Sequence, residues 1–163
     1  MQELENKDDA PFMSGTELGQ SLRGMGINLL VKNMTDSLHF ATTVLGATVV
    51  HTDNNDFAFI KLGDDRWMLH SDRSYKGNAL YGLLKNDDGT PLEGRGVGIE
   101  IRLYDVDPDM AVLNARRGGY IILADCIDKV DSHGLREAVI LDSDGYCWIP
   151  SRPLNNNECG SGG

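Results

Sequence analysis

The chain has 163 residues, 40% of them hydrophobic and 25% charged, which is the composition of one folded domain with a real core. Its formal net charge of −10 argues against nucleic acid as a partner, because phosphate binding needs clustered Lys and Arg, and leaves a cationic small molecule as a compatible ligand. No apolar run reaches the length of a membrane span, and the acidic start "MQELENKDDAPFMSGTELGQS" has no secretory pattern, so neither a membrane nor export is expected.

Residues 1–22 read as a flexible lead-in with a helical turn around "TELGQSL", and 23–153 as a single domain. The first strand is "GINLLVKNM", with Ile27, Leu29 and Val31 on one face. "TDSLHFATTVLG" follows as a helix, with Thr35 or Asp36 as N-cap, Leu38, Ala41 and Leu45 as its apolar stripe, and Gly46 as its stop. "ATVVHTD" and "FAFIKLGDDRWMLHS" then read as a strand and a hairpin, closing a βαβββ unit over 24–71. Residues 72–96 form a Gly/Asp-rich connector around the apolar "ALYGLL".

The order of elements now repeats. "GIEIRLYDV" matches the first strand at an offset of 72 residues. In "DPDMAVLNARRGG", Asp107 caps a helix, Pro108 fits its first turn, Arg116 and Arg117 suit its C-terminal dipole, and Gly118 ends it. "GYIILAD" is the next strand. "EAVILDSDGYCWIPS" is the closing hairpin, at an offset of 79, as though seven residues around "DKVDSHG" were inserted. The second unit covers 97–153, and 154–163 reads as a disordered tail. The eight strands are expected near 26–33, 47–53, 57–62, 66–71, 97–104, 120–126, 135–141 and 146–150. Two ordered copies of five elements make an internal repeat.

Cys126, Cys147 and Cys159 have no CxxC spacing and leave one thiol over in any pairing, which reads as reduced cysteines in a cytoplasmic protein. For Cys126 and Cys147 the expected role is packing.

A tandem βαβββ repeat with the markers "HGLREAVILD" and "DSDGYCW" resembles the vicinal-oxygen-chelate superfamily, which contains glyoxalase I, bleomycin-resistance proteins and extradiol dioxygenases. The resemblance covers about Gly24 to Pro153. It implies an α+β fold in which two curved sheets form a cup-shaped half-barrel with the helices outside. Metal-using members carry one ligand on the first and last strand of each unit. Those positions fall here on Gly26, His70, Gly98 and Ile149, of which only His70 can bind a metal. A catalytic divalent cation takes about three protein ligands, so no metal and no other cofactor is expected. A shifted set of Asn28, His70 and Glu100 is the alternative, although Asn is a poor transition-metal ligand.

Strand alternation puts Asn28, Met68 and His70 of the first unit and Glu100, Arg102, Cys147 and Ile149 of the second on the inward faces, with Trp67 and Trp148 beneath the helices. These seven are the candidate ligand-binding residues. Each also has a structural role to play: Glu100 with Arg102 as an ion pair, His70 as a satisfied histidine, Met68 and Cys147 as packing. His133, Arg136 and Glu137 stand beside the inserted loop, at the rim or stabilising the turn. Three functions stay open: a non-catalytic small-molecule binder, which the missing metal ligands favour and which the resemblance places in a homodimer; a metal-dependent or acid–base enzyme; and a regulatory module.

Overall fold

A computed structural model describes residues 14–53 and 55–155. The chain folds as α1 (Gly15–Ser21), β1 (Asn28–Val31), α2 (Met34–His39), β2 (Thr48–Asp53), β3 (Phe57–Leu62), β4 (Asp65–Ser71), β5 (Glu100–Tyr104), α3 (Pro108–Gly118), β6 (Ile121–Asp128), β7 (Leu135–Leu141) and β8 (Cys147–Pro153). The strands form two four-stranded sheets of identical order, β1-β4-β3-β2 and β5-β8-β7-β6, each with one parallel pair and two antiparallel pairs. This is the expected α+β tandem βαβββ architecture. The register agrees with the repeat: Asn28 opposes Met68 as Glu100 opposes Cys147, and Leu30 opposes His70 as Arg102 opposes Ile149.

Several boundaries differ from the sequence reading. β1 and β5 begin two and three residues late, because the run before β5 is a turn in which Gly96 and Gly98 take positive φ. The cap of α2 is Asn33, whose side chain accepts from the N–H groups of Thr35 and Asp36, rather than either of those residues. After His39 this helix widens into a π-helical turn, Phe40–Val44, which takes up one more residue than α3 uses between its cap and its stop. Gly118 is the last residue of α3, and the left-handed cap that stops the helix is Gly119, at φ 75°, one residue beyond the expected stop. In the register, Phe59 opposite Met68 corresponds to Leu141 opposite Cys147, so β7 matches β3 three residues further along than the self-match placed it. The second hairpin turns sooner than the first.

Within the expected lead-in, residues 15–21 are the helix α1, closed by a Ser14–Glu17 capping box and with Leu18 buried. The remainder of the lead-in, 1–13, and the tail from 156 lie outside the described residues. The connector carries two 3-10 turns, Asp72–Tyr75 and Ala79–Leu84.

The two units share one core. Leu29, Ile60 and Trp67 from the first sheet meet Leu103, Ile140 and Trp148 from the second, with both helices between. Phe40 of the π-turn lies edge-on to Tyr120 at 4.8 Å and 6.0 Å from Trp148, and His39 Nδ1 is 2.8 Å from the Tyr120 hydroxyl. The resemblance implied helices on the outside of a cup; within one chain they are inside, and the opposite faces of both sheets point outward.

The "DSDGYCW" hairpin is the seam. Asp142 accepts from the N–H groups of Asp144 and Tyr146 and from Trp148 Nε1. Asp144, 1% exposed, accepts from Lys32 N–H and Ser37 Oγ of the first unit. Gly145, at φ 89°, passes so close to the connector that a Cβ would sit 2.8 Å from Gly94 Cα. Arg95 completes the seam, donating to Leu30 O and, through two nitrogens, to Asp72.

Candidate functional site

Alternation assigns each strand's outward face, and the burial pattern agrees with it. Ala58, Ile60, Trp67 and Leu69 are buried towards the helices, so Phe57, Phe59, Lys61, Arg66, Met68 and His70 lie on the other side. This outer face is built in rows. Lys61 opposes Arg66, Phe59 opposes Met68 with Asn28 beside it, and Phe57 opposes His70 with Leu30 beside it. A bulge between Val49 and His51 brings His51 onto the same face, opposite Phe59.

Four half-buried rings run along this face. His51 is 6.0 Å from Phe57, Phe57 is 5.0 Å from His70, and His70 is 5.3 Å from Tyr75 of the connector. Burial lowers the His70 pKa below that of a free imidazole, so the ring is neutral at pH 7. Among the described residues its ring nitrogens have no hydrogen-bond partner. A neutral imidazole with both nitrogens open can donate once and accept once, and it stacks readily on a flat ring.

Sequence reasoning found Asn28, Met68 and His70 on this face but missed His51, Phe57 and Tyr75. The bulge reverses the apparent parity of β2, and Tyr75 stands in a segment without strand periodicity.

The outer face of the second sheet carries an ion-pair cluster. Arg102 donates to Glu100 at 3.2 Å and to Glu137, whose carboxylate also has Lys129 at 4.0 Å and His133 at 3.6 Å. The expected Glu100–Arg102 pair is therefore formed, and Glu137 is its buried centre. His133 belongs to this cluster, whereas Arg136 points to the helix side and binds Asp109 of α3. Ile149 is 1% exposed. Cys147 is half-buried and burial raises its thiol pKa; burial likewise raises the Cys126 thiol, to about 11. Both are packing thiols rather than nucleophiles.

Within one chain, then, the seven candidates form two groups on two outward faces. Asn28, Met68 and His70 share one; Glu100, Arg102, Cys147 and Ile149 share the other. An acid–base pair of His70 and Glu100 does not meet on a single chain. The four positions at which the resemblance implies metal ligands hold two glycines, an isoleucine and His70, a donor set that does not fit a divalent cation. No three His, Cys, Asp or Glu side chains come together as a metal site among the described residues.

Comparison with solved structures places this fold among known ones. The chain is similar to a glyoxalase/bleomycin resistance protein/dioxygenase from Nocardioides, at 18% identity and a TM-score of 0.55, over 91% of this chain and 95% of that one. It is also similar to a glyoxalase/bleomycin resistance protein/dioxygenase family enzyme from Burkholderia phytofirmans, at 12% identity and 0.59, over 78% and 96%. A lactoylglutathione lyase from Agrobacterium tumefaciens matches at 15% identity and 0.55, over 80% and 92%. The chain has the glyoxalase/bleomycin-resistance fold. No protein-family model matches it, and no curated protein matches its sequence.

Proposed function

We propose that this protein binds a small organic molecule without a catalytic metal, as a homodimer in which each cup pairs the first unit of one chain with the second unit of the other. The observation that carries this reading is the shared helical core, which turns the two expected ligand-facing sheet surfaces away from each other within a single chain. β1 and β5 are also edge strands in their sheets. Just before them Met25 is 90% exposed and Val97 89%, at equivalent positions of the repeat. Open edges flanked by apolar side chains invite strand pairing. An isologous dimer with β1 beside the partner's β5 would cover them and set Asn28, Met68 and His70 against the partner's Glu100 and the partner's Arg102.

Among the activities described for structural relatives, binding fits this chain better than metal-dependent turnover, because Gly26, Gly98 and Ile149 supply no ligand. Cys126 and Cys147 are free thiols, which suits a cytoplasmic protein, and no helix among the described residues is long and apolar enough to cross a membrane.

Light scattering at micromolar concentration is expected to give twice the chain mass, Val97→Asp to lower it to one chain, and native mass spectrometry to show a retained small molecule on the dimer. A monomeric mass for the unaltered chain would overturn the shared cup. Stoichiometric Fe, Zn, Mn or Ni in protein purified without chelator, lost in His70→Ala, would overturn the metal-free reading.

A further inference from the structure

Lys61 on β3 stands directly opposite Arg66 on β4, both exposed and both on the outer face of the first sheet. Like charges in directly opposed positions repel. Neither side chain makes a hydrogen bond or ion pair among the described residues. The chain has 25 acidic residues to 15 basic ones, and it pairs two other sheet arginines, Arg102 with Glu137 and Arg136 with both Asp109 and Asp128. Two unpaired cations held together are the exception.

Beside them a cavity of about 890 Å³ opens between this face and α1, with Arg66 on its wall, Phe59 and Met68 as its floor, and Leu18, Leu22 and Arg23 from the α1 segment. The Arg23 guanidinium donates to the carbonyls of Gln20 and Leu22. Asp64 and Asp65 of the hairpin turn also border the cavity. Within the lining Arg23 and Arg66 are matched by Asp64 and Asp65, and Lys61, on the row beside Arg66 and outside the lining, adds a further positive charge at the mouth.

We propose that this cavity takes a flat aromatic organic anion, its charged group between Lys61 and Arg66 and its ring system lying over Phe59 and Met68 towards Phe57 and His70. The rows of the face grade from two cations through an apolar pair to a pair of rings. Rows two residues apart are spaced by about 6.7 Å, so the graded face is roughly 13 Å long, the reach of two fused rings with a carboxylate. The negative charge of the whole chain favours a cation at long range, but at contact the two nearest charges on this face are positive. The inference rests on the reading of this face as a ligand site and adds the charge and shape of the ligand.

The test is calorimetric titration of the full chain with 2-naphthoate, 2-naphthamide and 2-naphthylmethylammonium. The naphthoate is expected to bind about tenfold or more tightly than the amide, the effect of one charge-assisted hydrogen bond. In the double variant Lys61→Ala, Arg66→Ala the naphthoate should fall to the level of the amide. Both side chains are exposed, and far-UV circular dichroism confirms that the variant is folded. Equal or tighter binding of the amide or the ammonium overturns the anion while leaving the ligand site standing. A naphthoate preference that survives the double variant also overturns it. If none of the three binds, the ligand site itself fails with it.

Discussion

The indole rings of Trp67 and Trp148 lie 5.2 Å apart, one from each unit, in the core that the two helices share. Trp148 Nε1 donates to Asp142, whereas Trp67 Nε1 is buried without a partner among the described residues. Equivalent bulk in one core therefore carries unequal polar obligations, and the two residues should answer differently to the same substitution.

Trp148→Phe removes ring volume and also a donor from the buried Asp142 carboxylate, so it is expected to cost about 2–3 kcal/mol. Trp67→Phe loses similar volume but discards an unsatisfied donor, and its cost should stay below about 1.5 kcal/mol. Urea unfolding of the two single variants measures the difference. Equal costs would mean that the Asp142 bond contributes nothing.

Two glycines of left-handed conformation separate backbone strain from crowding. Gly119 has φ 75°, and a methyl group added there would meet nothing within 4 Å, so Gly119→Ala should cost about 1 kcal/mol, the ordinary penalty for that conformation. Gly145→Ala adds a contact of 2.8 Å with Gly94 backbone and should cost well over twice as much, loosening the connector from the hairpin. Equal unfolding midpoints for the two variants would show that the connector gives way freely.

The repeat was legible because hydrophobic parity and glycine punctuation survive in both units: that Asn28 corresponds to Glu100, and Met68 to Cys147, can be read from strand pattern and offset alone. The mutual placement of the units was not. Parity says that Leu29 and Trp67 face a helix, but not that the helix beneath Trp67 also packs on Trp148. The ring row was hidden for a related reason. His51 reaches it only through a bulge, and Tyr75 only because the chain turns back after Ser71, whose hydroxyl caps the following 3-10 turn. The π-helical turn of Phe40–Val44 has no composition that marks it. From within it Phe40 reaches across to Tyr120 and Trp148.

Asp144 should be the most sensitive carboxylate. It is 1% exposed, holds Lys32 N–H and Ser37 Oγ, and lies 3.7 Å from an Arg95 guanidinium that is itself 3% exposed. Asp144→Ala leaves a buried N–H unpaired and a buried cation with Asp72 as its remaining carboxylate, a loss of about 3 kcal/mol. Asp144→Asn keeps an oxygen for Lys32 N–H and should recover roughly half of that. Urea unfolding of both variants at pH 7 checks the ordering, and a more damaging Asn than Ala would contradict it.

The pH response of stability is carried in part by Asp109, on the first turn of α3. Arg136 donates to both of its oxygens, at 2.7 and 2.8 Å, and this hydrogen bonding, against some desolvation, lowers its pKa from 3.8 to about 2. The folded state thus favours the ionised form more than the unfolded state does. Its contribution is complete above the unfolded pKa near 3.8 and is lost as pH falls from there towards 2. The side chain is 48% exposed, so screening keeps that contribution below about 1 kcal/mol. Asp109→Asn should therefore be less stable than the parent at pH 6, and the gap should narrow between pH 4 and pH 2 and shrink with added salt. Paired urea titrations across that range measure it. A gap independent of pH and salt would assign the loss to the first turn of the helix instead of to the charge.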